Sequence, residues 1–567
     1  MTRARRDARA GKPAQGRQAG PGIALPGAGV WFVAACAALL LLAPPAANGF
    51  WGVNGFRSVD AGVRVALLLA AAAAAALVRV RSRTVGAVIA VSAALVVAYA
   101  LRERVHFLGD TQVRLRAMAI FTADMISVTL TEWSTRLHAN PFDILVNFLA
   151  PIGLRRSGVP LVTAVSTVTL ALALVYIAAV WRIAGRLAVA AEGRVALCAA
   201  MLISGTLLAF AGYAESAGLL IAAGAWWWAE ILAPLDRPRQ AVRAAGAWLV
   251  MALCHRLALV MLLPVAWRAL GPPHFGDRPT VRRIYLGLSF AALVVALGAM
   301  QLGAGGRQLG MDVSDLVRSI SGVLRAVPVS DYLNTLALVA PLAWLAPWLA
   351  GRAELAAFVR RPGVGVLLVG VLVSLPVMWI VPANGNGLGA HRDWDVASLE
   401  GLTLTLTAAA LLAALPAPRL RGALIVALPV LVLVAGGWLL VNVSETAVLL
   451  RARSLAEKPP GLIEPHAAAL HDWLGQRAMD LGEPGYAAPE FEHSFELNRN
   501  PRRALLAAEA YARAGDLAHA RAMLALAEAA GPLSPSVAES ARRLAELITT
   551  LAADTTGSAA PGAPAGR

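Results

Sequence analysis

Apolar stretches of about twenty residues recur along most of the chain and alternate with short polar loops. A helix of that length matches the thickness of the hydrocarbon core of a bilayer, so each stretch predicts a transmembrane helix. The predicted spans lie near residues 28–47, 62–80, 85–101, 158–181, 195–212, 216–233, 243–254, 256–267, 283–303, 332–350, 363–381, 398–415 and 423–442. We therefore expect an all-α fold, a polytopic transmembrane helical bundle of about thirteen spans over residues 28–443.

The stretch 243–267 decides the predicted topology. As one helix it would carry His255 and Arg256 at its middle, where an arginine costs about 3 kcal/mol on insertion scales. As two short limbs it places both residues at the outer face. The split also puts most downstream arginines in inner loops, as the positive-inside rule requires. Each limb is only about 18 Å long at 1.5 Å per residue, so the limbs extend into their flanks or form a re-entrant hairpin.

With this split the basic segment 1–27 is cytoplasmic and the C-terminus lies outside. The composition agrees with a membrane protein, since 58% of residues are hydrophobic and the mean hydropathy is +0.65. The net charge of +16 does not indicate nucleic acid, because almost all the basic residues are arginines that anchor loops; Lys12 and Lys458 are the exceptions. Cys36, Cys198 and Cys254 lie in apolar segments and form no disulfide framework.

Polar clusters interrupt this pattern, and the predicted topology places them on the outer side. Residues 391–395 read His-Arg-Asp-Trp-Asp between two apolar stretches, and residues 212–216 read Gly-Tyr-Ala-Glu-Ser. The outer loop 102–157 contains Asp110, and His255 and Arg256 lie at the same depth. Ionisable residues beside hydrocarbon are costly unless they are paired or used. The shared side therefore predicts one functional site.

The first outer loop is too polar to span the membrane and too apolar to be free coil. Segments Met125–Ala139 and Pro141–Leu149 are predicted to be helices that lie along the membrane surface. The arginines of this loop depart from the positive-inside trend. They fit contacts with lipid headgroups and a phosphate site equally well.

After residue 443 the chain becomes hydrophilic. We expect a linker at 444–467, a small helical repeat domain at 468–552 and a disordered tail at 553–567. A 33-residue period relates Gly482 to Gly515, Ala487 to Ala520, Phe491 to Leu524 and Ser494 to Ala527. With Trp473-Leu474-Gly475, Tyr511 and Pro532, this pattern resembles the tetratricopeptide repeat, which implies a protein partner; a generic Ala-rich hairpin is the alternative. A helix near 536–551 would cap the stack.

Carboxylates and arginines at an outer membrane lip suit a lipid-linked anionic substrate, since arginine grips phosphate and a carboxylate can take a hydroxyl proton. The layout resembles the GT-C superfamily of integral membrane glycosyltransferases, which use polyprenyl-phosphate sugars. The resemblance implies a bacterial inner membrane protein that transfers a sugar to a glycan, lipid or protein acceptor. It also implies that Asp110 is the catalytic carboxylate. Here the loop follows the third predicted span, whereas in the family it follows the first.

On this hypothesis Arg392 and Arg256 stabilise the departing lipid phosphate, and Glu215 binds the acceptor or supports Asp110. Asp393 and Asp395 are spaced to hold a divalent cation through oxygen ligands, or to pair with arginines, which we favour slightly. The expected cofactor is therefore none or a divalent cation. His255 and His391 are substrate-site candidates, although an ordinary hydrogen-bonded histidine is the more common case.

Two rival functions remain open. An O-antigen-type polymerase or ligase also joins many spans to outer repeats, but its large outer loop is expected late in the chain. A non-enzymatic membrane anchor that presents repeats for envelope assembly would need none of these charged residues. A transporter is disfavoured because the ionisable residues cluster at one face and not at the midplane.

Overall fold

The computed structural model describes residues 50–55, 58–77, 96, 99–121, 140–188, 190–271, 278–303, 329–361, 363–383, 388–457, 462–531 and 533–557. Within these ranges the regular secondary structure is entirely helical. The α-helices up to residue 443 are Ala61–Leu77, Thr111–Ile120, Pro141–Asp143, Ala150–Arg156, Leu161–Leu187, Ala191–Leu202, Ser216–Ile231, Pro238–Cys254, Leu262–Leu270, Pro279–Gly303, Val329–Val339, Pro341–Ala350, Arg352–Val359, Val364–Ala383, Ser398–Ala413 and Ala417–Val443. A π-helical turn, Ile144–Leu149, and 3-10 turns at Gly205–Phe210, Arg256–Met261 and Trp394–Ala397 complete this part.

Among the described residues, four helices are long and apolar enough to cross a membrane: Leu161–Leu187, Pro279–Met300, Trp394–Ala413 and Ala417–Val443. The number rises to six if two bent helix pairs are each counted as one span. One of these pairs, Val329–Val339 with Pro341–Ala350, bends by 78° where a single span was predicted at 332–350. The all-helical architecture with several membrane-length helices is confirmed, and the count of thirteen is not.

Several predicted spans differ from the structure for identifiable reasons. The stretch 28–47 and most of 85–101 lie outside the described residues. The stretch 195–212 breaks after Leu202 and continues as a 3-10 turn. The stretch 216–233 forms a helix of 16 residues, nearly all of them buried against other helices. An enclosed helix is apolar both in a protein core and in a membrane span inside a bundle, so its hydrophobicity alone does not show which of the two it is.

The predicted break at residues 255–256 is confirmed. The helix Pro238–Cys254 ends at His255, whose backbone is extended and whose imidazole accepts the N–H of Leu257 at 3.2 Å. Trp248 Nε1 then donates to the carbonyl oxygen of Ala258 at 3.3 Å. A continuous helix would separate these residues by about 15 Å, so the chain folds back on itself here.

Polar contacts join loops that the predicted topology places on the same side. On the predicted outer side, Trp51 Nε1 donates to Asp331 at 2.9 Å, and the Gly52 N–H donates to the side chain of Asn334 at 2.9 Å. At the opposite ends of the helices, Arg421 forms an ion pair with Glu192 at 2.6 Å. Each of these contacts joins segments that the predicted topology places on one side, and the topology itself stays a prediction.

Large apolar side chains project from the outside of the helix bundle. Phe290, Leu372 and Leu69 are 68%, 69% and 66% exposed, respectively. Inside the bundle, Trp228 is fully buried, and its indole N–H donates to Thr403 Oγ1 at 3.2 Å. An apolar exterior around a packed core is the arrangement that a lipid environment requires.

The C-terminal part consists of the helices Glu445–Glu457, Glu464–Asp480, Pro484–Leu497, Pro501–Arg513, Leu517–Ala529 and Pro535–Gly557. Gly482 and Gly515 have φ of 77° and 86° and lie in the turns between consecutive helices, so the 33-residue period corresponds to a repeated helical hairpin. Ala487 and Ala520 are fully buried at equivalent positions. Within the predicted linker 444–467, Glu445–Glu457 is a helix that buries Val448 and Leu455. Assignment to the tetratricopeptide family stays a prediction.

The helix Glu464–Asp480, the first of the predicted repeat domain, packs against the helix bundle formed by the chain up to residue 443. Leu470, Trp473 and Leu474 belong to the main hydrophobic core, whereas the following helices share a separate core around Phe491 and Phe495. The helix Glu464–Asp480 therefore connects the two cores, and it begins four residues before the predicted domain boundary.

Candidate functional site

The loop before Asp110 is held in an unusual backbone conformation. His106 and Gly109 both have left-handed φ, of 55° and 52°. Asp110 follows at the start of the helix Thr111–Ile120, but its side chain makes no capping hydrogen bond. The Asp110 carboxylate is partly exposed, so it is available to a ligand.

Arg392 fixes this loop from a distant part of the sequence. Its Nε donates to the carbonyl oxygen of Phe107 at 3.0 Å, and its guanidinium lies 5.4 Å from the centre of the Phe107 ring. The N–H of Gly109 donates to the Arg392 carbonyl oxygen at 3.1 Å. Arg392 is only 6% exposed. These contacts position the loop that contains Asp110. The sequence predicted a different role for Arg392, a contact with the phosphate of the substrate.

Glu215 holds the other side of the same loop. The peptide N–H of Asp110 donates to Glu215 Oε1, and a Cβ atom at Gly109 would collide with Glu215 and with the hydroxyl of Tyr213. Burial, followed by the nearby charge of Asp395, raises the pKa of Glu215 well above its usual value. Glu215 therefore contacts the backbone of Asp110, and its two suggested roles, acceptor binding and support of Asp110, stay predictions.

A buried ion pair beneath the loop was not predicted. Arg114 Nη2 and Asp143 Oδ2 are 2.9 Å apart, and both side chains are almost completely buried. The Asn147 side-chain amide donates to Asp143 at 2.7 Å and to the Glu215 carbonyl oxygen at 3.0 Å. This network links the first outer loop to the 212–216 segment. Asp143 and Asn147 are four residues apart in the segment predicted as a surface helix, but their sequence context gave no sign of pairing.

The loop that contains Asp393 and Asp395 is closed by a turn at Gly389, whose carbonyl oxygen accepts the N–H of Arg392 and that of Asp393, both at 3.0 Å. Burial is the main cause that raises the pKa of Asp393 to about 8, and the charges of Asp395 and Asp110 add to it. Asp395 lies deeper, at 7% exposure. The two carboxyl groups therefore join Asp110 and Glu215 in one acidic cluster.

Glu103 belongs to the same cluster and was missed in the sequence. It is 1% exposed, and its Oε1 accepts the N–H of Leu108 at 3.5 Å. Burial raises its pKa to about 8. Among the described residues, Glu103 Oε2 is buried without a hydrogen-bond partner, whereas Asp395 lies within hydrogen-bonding reach of the Tyr213 and Glu215 side chains. Tyr213 was visible in the Gly-Tyr-Ala-Glu-Ser motif, whereas Glu103 lies between two loop arginines and carries no motif.

The remaining predicted site residues are His391, His255 and Arg256. His391 is buried and packs edge-on to Trp51, with ring centres 6.4 Å apart, and burial holds its pKa well below the usual range. The pKa of His255 is lowered to about 4, first by desolvation and then by Arg256. Arg256 itself is exposed, and no hydrogen bond or ion pair between the described residues joins it to Asp110 or Arg392. Because their pKa values are lowered, the imidazoles of His391 and His255 are both neutral at physiological pH.

The expected divalent cation would need ligands beyond Asp393 and Asp395. In the part of the chain that the structure describes, no group of three or more His, Cys, Asp or Glu side chains is arranged to hold a metal ion.

The helix Glu464–Asp480 packs against the segments on both sides of Asp110 in the sequence. The ring of Trp473 meets Phe107 edge-on at 4.7 Å between centres. Gln112 donates to Asp480 at 2.7 Å, and Arg116 pairs with the same carboxylate at 2.7 Å. The C-terminal domain thus contacts both the loop before Asp110 and the helix after it.

The structure defines an all-helical protein with membrane-length helices and a buried acidic cluster beneath a helical C-terminal domain. Neither a family model, nor a curated protein, nor a solved structure matches the chain.

Proposed function

We propose that the protein is a membrane glycosyltransferase that moves a sugar from a polyprenyl-phosphate donor to an acceptor hydroxyl on the outer face of the bacterial inner membrane. One observation carries the proposal. Asp110 is a partly exposed carboxylate, unused for helix capping, in a loop fixed by Arg392 and Glu215. A positioned acid of this kind is what proton abstraction from a hydroxyl requires.

In the proposed reaction, Asp110 accepts the proton of the acceptor hydroxyl as its oxygen attacks the anomeric carbon. The bond from that carbon to the phosphate oxygen breaks with inversion, and polyprenyl phosphate leaves with the electron pair. Arg392 is within electrostatic reach of Asp110 and supplies positive charge for the leaving phosphate. The exposed Arg256 is proposed as a second cation for the leaving phosphate.

The other carboxyl groups of the cluster support this division of roles. Raised pKa values of about 8 keep Glu103 and Asp393 largely protonated near neutral pH, and burial raises the pKa of Glu215 in the same direction. Protonated neighbours reduce the repulsion that an anionic donor would otherwise meet at the site. Glu215 then positions Asp110, and Asp393 is placed to contact substrate because it is partly exposed.

The C-terminal helical domain would act from the periplasmic side. Its first helix contacts Phe107, Gln112 and Arg116, on either side of Asp110 in the sequence, and its outer helices leave a surface for a protein partner or for the carrier of the acceptor. Tyr486, which is 67% exposed on the second helix, marks that surface.

The proposal is tested with purified protein in liposomes and a panel of radiolabelled polyprenyl-phosphate sugars. The wild type is expected to transfer or hydrolyse at least one donor, and Asp110→Asn is expected to lose that activity. Asp60→Asn is the matched control, because Asp60 is an exposed acid on the same predicted side. Full turnover by Asp110→Asn would exclude the mechanism.

A further inference from the structure

A second charged cluster lies at the opposite end of the helix bundle from Asp110. Glu230 is 3% exposed and is surrounded by arginines from two other helices. Arg182 and Arg243 both approach its Oε1, at 2.6 and 2.7 Å, and Arg186 lies 3.8 Å from Oε2. One carboxylate cannot neutralise three guanidinium groups, so the cluster carries an excess of positive charge.

Glu230 does not accept a hydrogen bond from every N–H group of these arginines. Among the described residues, Arg182 Nε and Arg186 Nη1 are buried nitrogens without a hydrogen-bond partner. Buried N–H groups without an acceptor cost free energy, so an additional oxygen ligand here would be favourable. The three side chains remain 22–42% exposed, which leaves the cluster open to a ligand from outside.

Aromatic side chains indicate the depth of this cluster in the membrane. The Arg182 guanidinium lies 4.8 Å from the centre of the Trp226 ring. Trp181, which directly precedes Arg182 in the same helix, is 59% exposed. Tryptophan is enriched at the level of lipid headgroups. Arg182 and Arg186 lie in the last turns of Leu161–Leu187, a helix long enough to span the bilayer, at the end predicted to be cytoplasmic.

We propose that Arg182, Arg186 and Arg243 form a binding site for the phosphate headgroup of an anionic phospholipid of the inner leaflet. Guanidinium groups bind phosphate oxygens in a bidentate manner, and basic pockets between helices on this side of a membrane hold anionic headgroups. The exposed Trp181 packs against the glycerol and upper acyl region. This site depends on the predicted orientation in the membrane and not on the proposed sugar transfer.

The test uses the full-length protein in detergent, with phosphatidylglycerol, phosphatidylcholine and inorganic phosphate as probes in native mass spectrometry and thermal-shift assays. The wild type is expected to bind phosphatidylglycerol at least about tenfold more tightly than phosphatidylcholine. The double variant Arg182→Gln/Arg186→Gln should lose that preference. The control Arg419→Gln/Arg421→Gln should keep it, because those arginines pair with Glu354 and Glu192 at the same predicted end.

Glu230→Gln provides a second variant in case the double variant does not fold. It retains all three guanidinium groups and removes the competing carboxylate, so phosphatidylglycerol should bind more tightly than to the wild type. Equal binding of the two lipids by the wild type would overturn the proposal, as would weaker binding by Glu230→Gln. Equal stabilisation by inorganic phosphate and by phosphatidylglycerol at the same concentration would refute a lipid ligand.

Discussion

The guanidinium of Arg392 donates to the carbonyl oxygen of Phe107 at 3.0 Å, across 285 residues of sequence. This bond ties the late outer loop to the first one and sets the position of Asp110, three residues after Phe107. The position of the candidate catalytic acid thus depends on a residue that belongs to another loop.

Replacement of Arg392 by Gln should destabilise the protein strongly. The change removes the donor to Phe107 and leaves a buried carbonyl oxygen without its partner, which costs about 1–3 kcal/mol. Thermal unfolding in detergent measures the effect. Arg419→Gln is the control, because Arg419 is 53% exposed in an ion pair and should change stability by no more than about 0.5 kcal/mol. Equal melting temperatures for the two variants would show that Arg392 does not fix the loop.

Gly109→Ala should displace Asp110. Gly109 has a left-handed φ, which costs a residue with a Cβ about 1–2 kcal/mol, and the added methyl would meet Glu215 and Tyr213. We expect reduced stability and reduced activity. Gly153→Ala is the matched control, since that glycine is exposed, lies within a helix and has open space around it. Its substitution should be neutral or stabilising by up to about 1 kcal/mol. Wild-type behaviour of Gly109→Ala would be inconsistent with the tight packing described above.

Trp473→Ala should weaken the packing of the helix Glu464–Asp480 against the loop before Asp110. Trp473 is 4% exposed and contacts Phe107, and truncation of a buried Trp costs about 3–5 kcal/mol. Hydrogen exchange should increase both in the helix Glu464–Asp480 and in the loop before Asp110. The control Tyr486→Ala removes an aromatic ring that is 67% exposed in the same domain. If exchange rises only in the C-terminal domain, the two parts are not coupled.

The contribution of Glu103 to stability should fall as the pH rises from about 4.5 to about 8. The pKa of Glu103 is raised by burial from 4.5 to about 8, so the folded state binds more protons than the unfolded state between these values. Under that condition the free energy of unfolding decreases with increasing pH. Glu103→Gln removes the titration but retains an acceptor for Leu108, so its melting temperature should depend less on pH and exceed that of the wild type at pH 8. A steeper dependence in the variant would refute this assignment.

Part of this arrangement was predictable from the sequence. Charge asymmetry between loops located the break at His255, because an arginine in mid-membrane is costly enough to outweigh the continuous apolar pattern. The same topology placed Asp110, Glu215 and Arg392 on one side, and the structure brings these three residues together. Such predictions succeed where a large free energy is at stake.

The rest depended on contacts that hydropathy does not encode. Ser216–Ile231 is apolar and enclosed by other helices, and a single sequence does not distinguish burial in a protein core from exposure to lipid. The bend between Val329–Val339 and Pro341–Ala350 lies within a continuous apolar stretch. Glu103 and the pair of Arg114 with Asp143 are isolated charges in polar loops, where most charges are solvated. Only packing across distant segments buries them.

The most direct test of the account compares donor binding with turnover in Asp110→Asn and Asp110→Glu, using the donor that the wild type accepts. General base catalysis contributes about 10²–10⁴-fold to a rate, so Asp110→Asn should lose at least about 100-fold in single-turnover rate. Its affinity for the polyprenyl-phosphate sugar should stay within about threefold of the wild type, because neighbouring groups bind the donor. Asp110→Glu should recover part of the rate. Undiminished turnover by Asp110→Asn, with donor binding intact, would contradict the central claim that Asp110 performs the proton transfer.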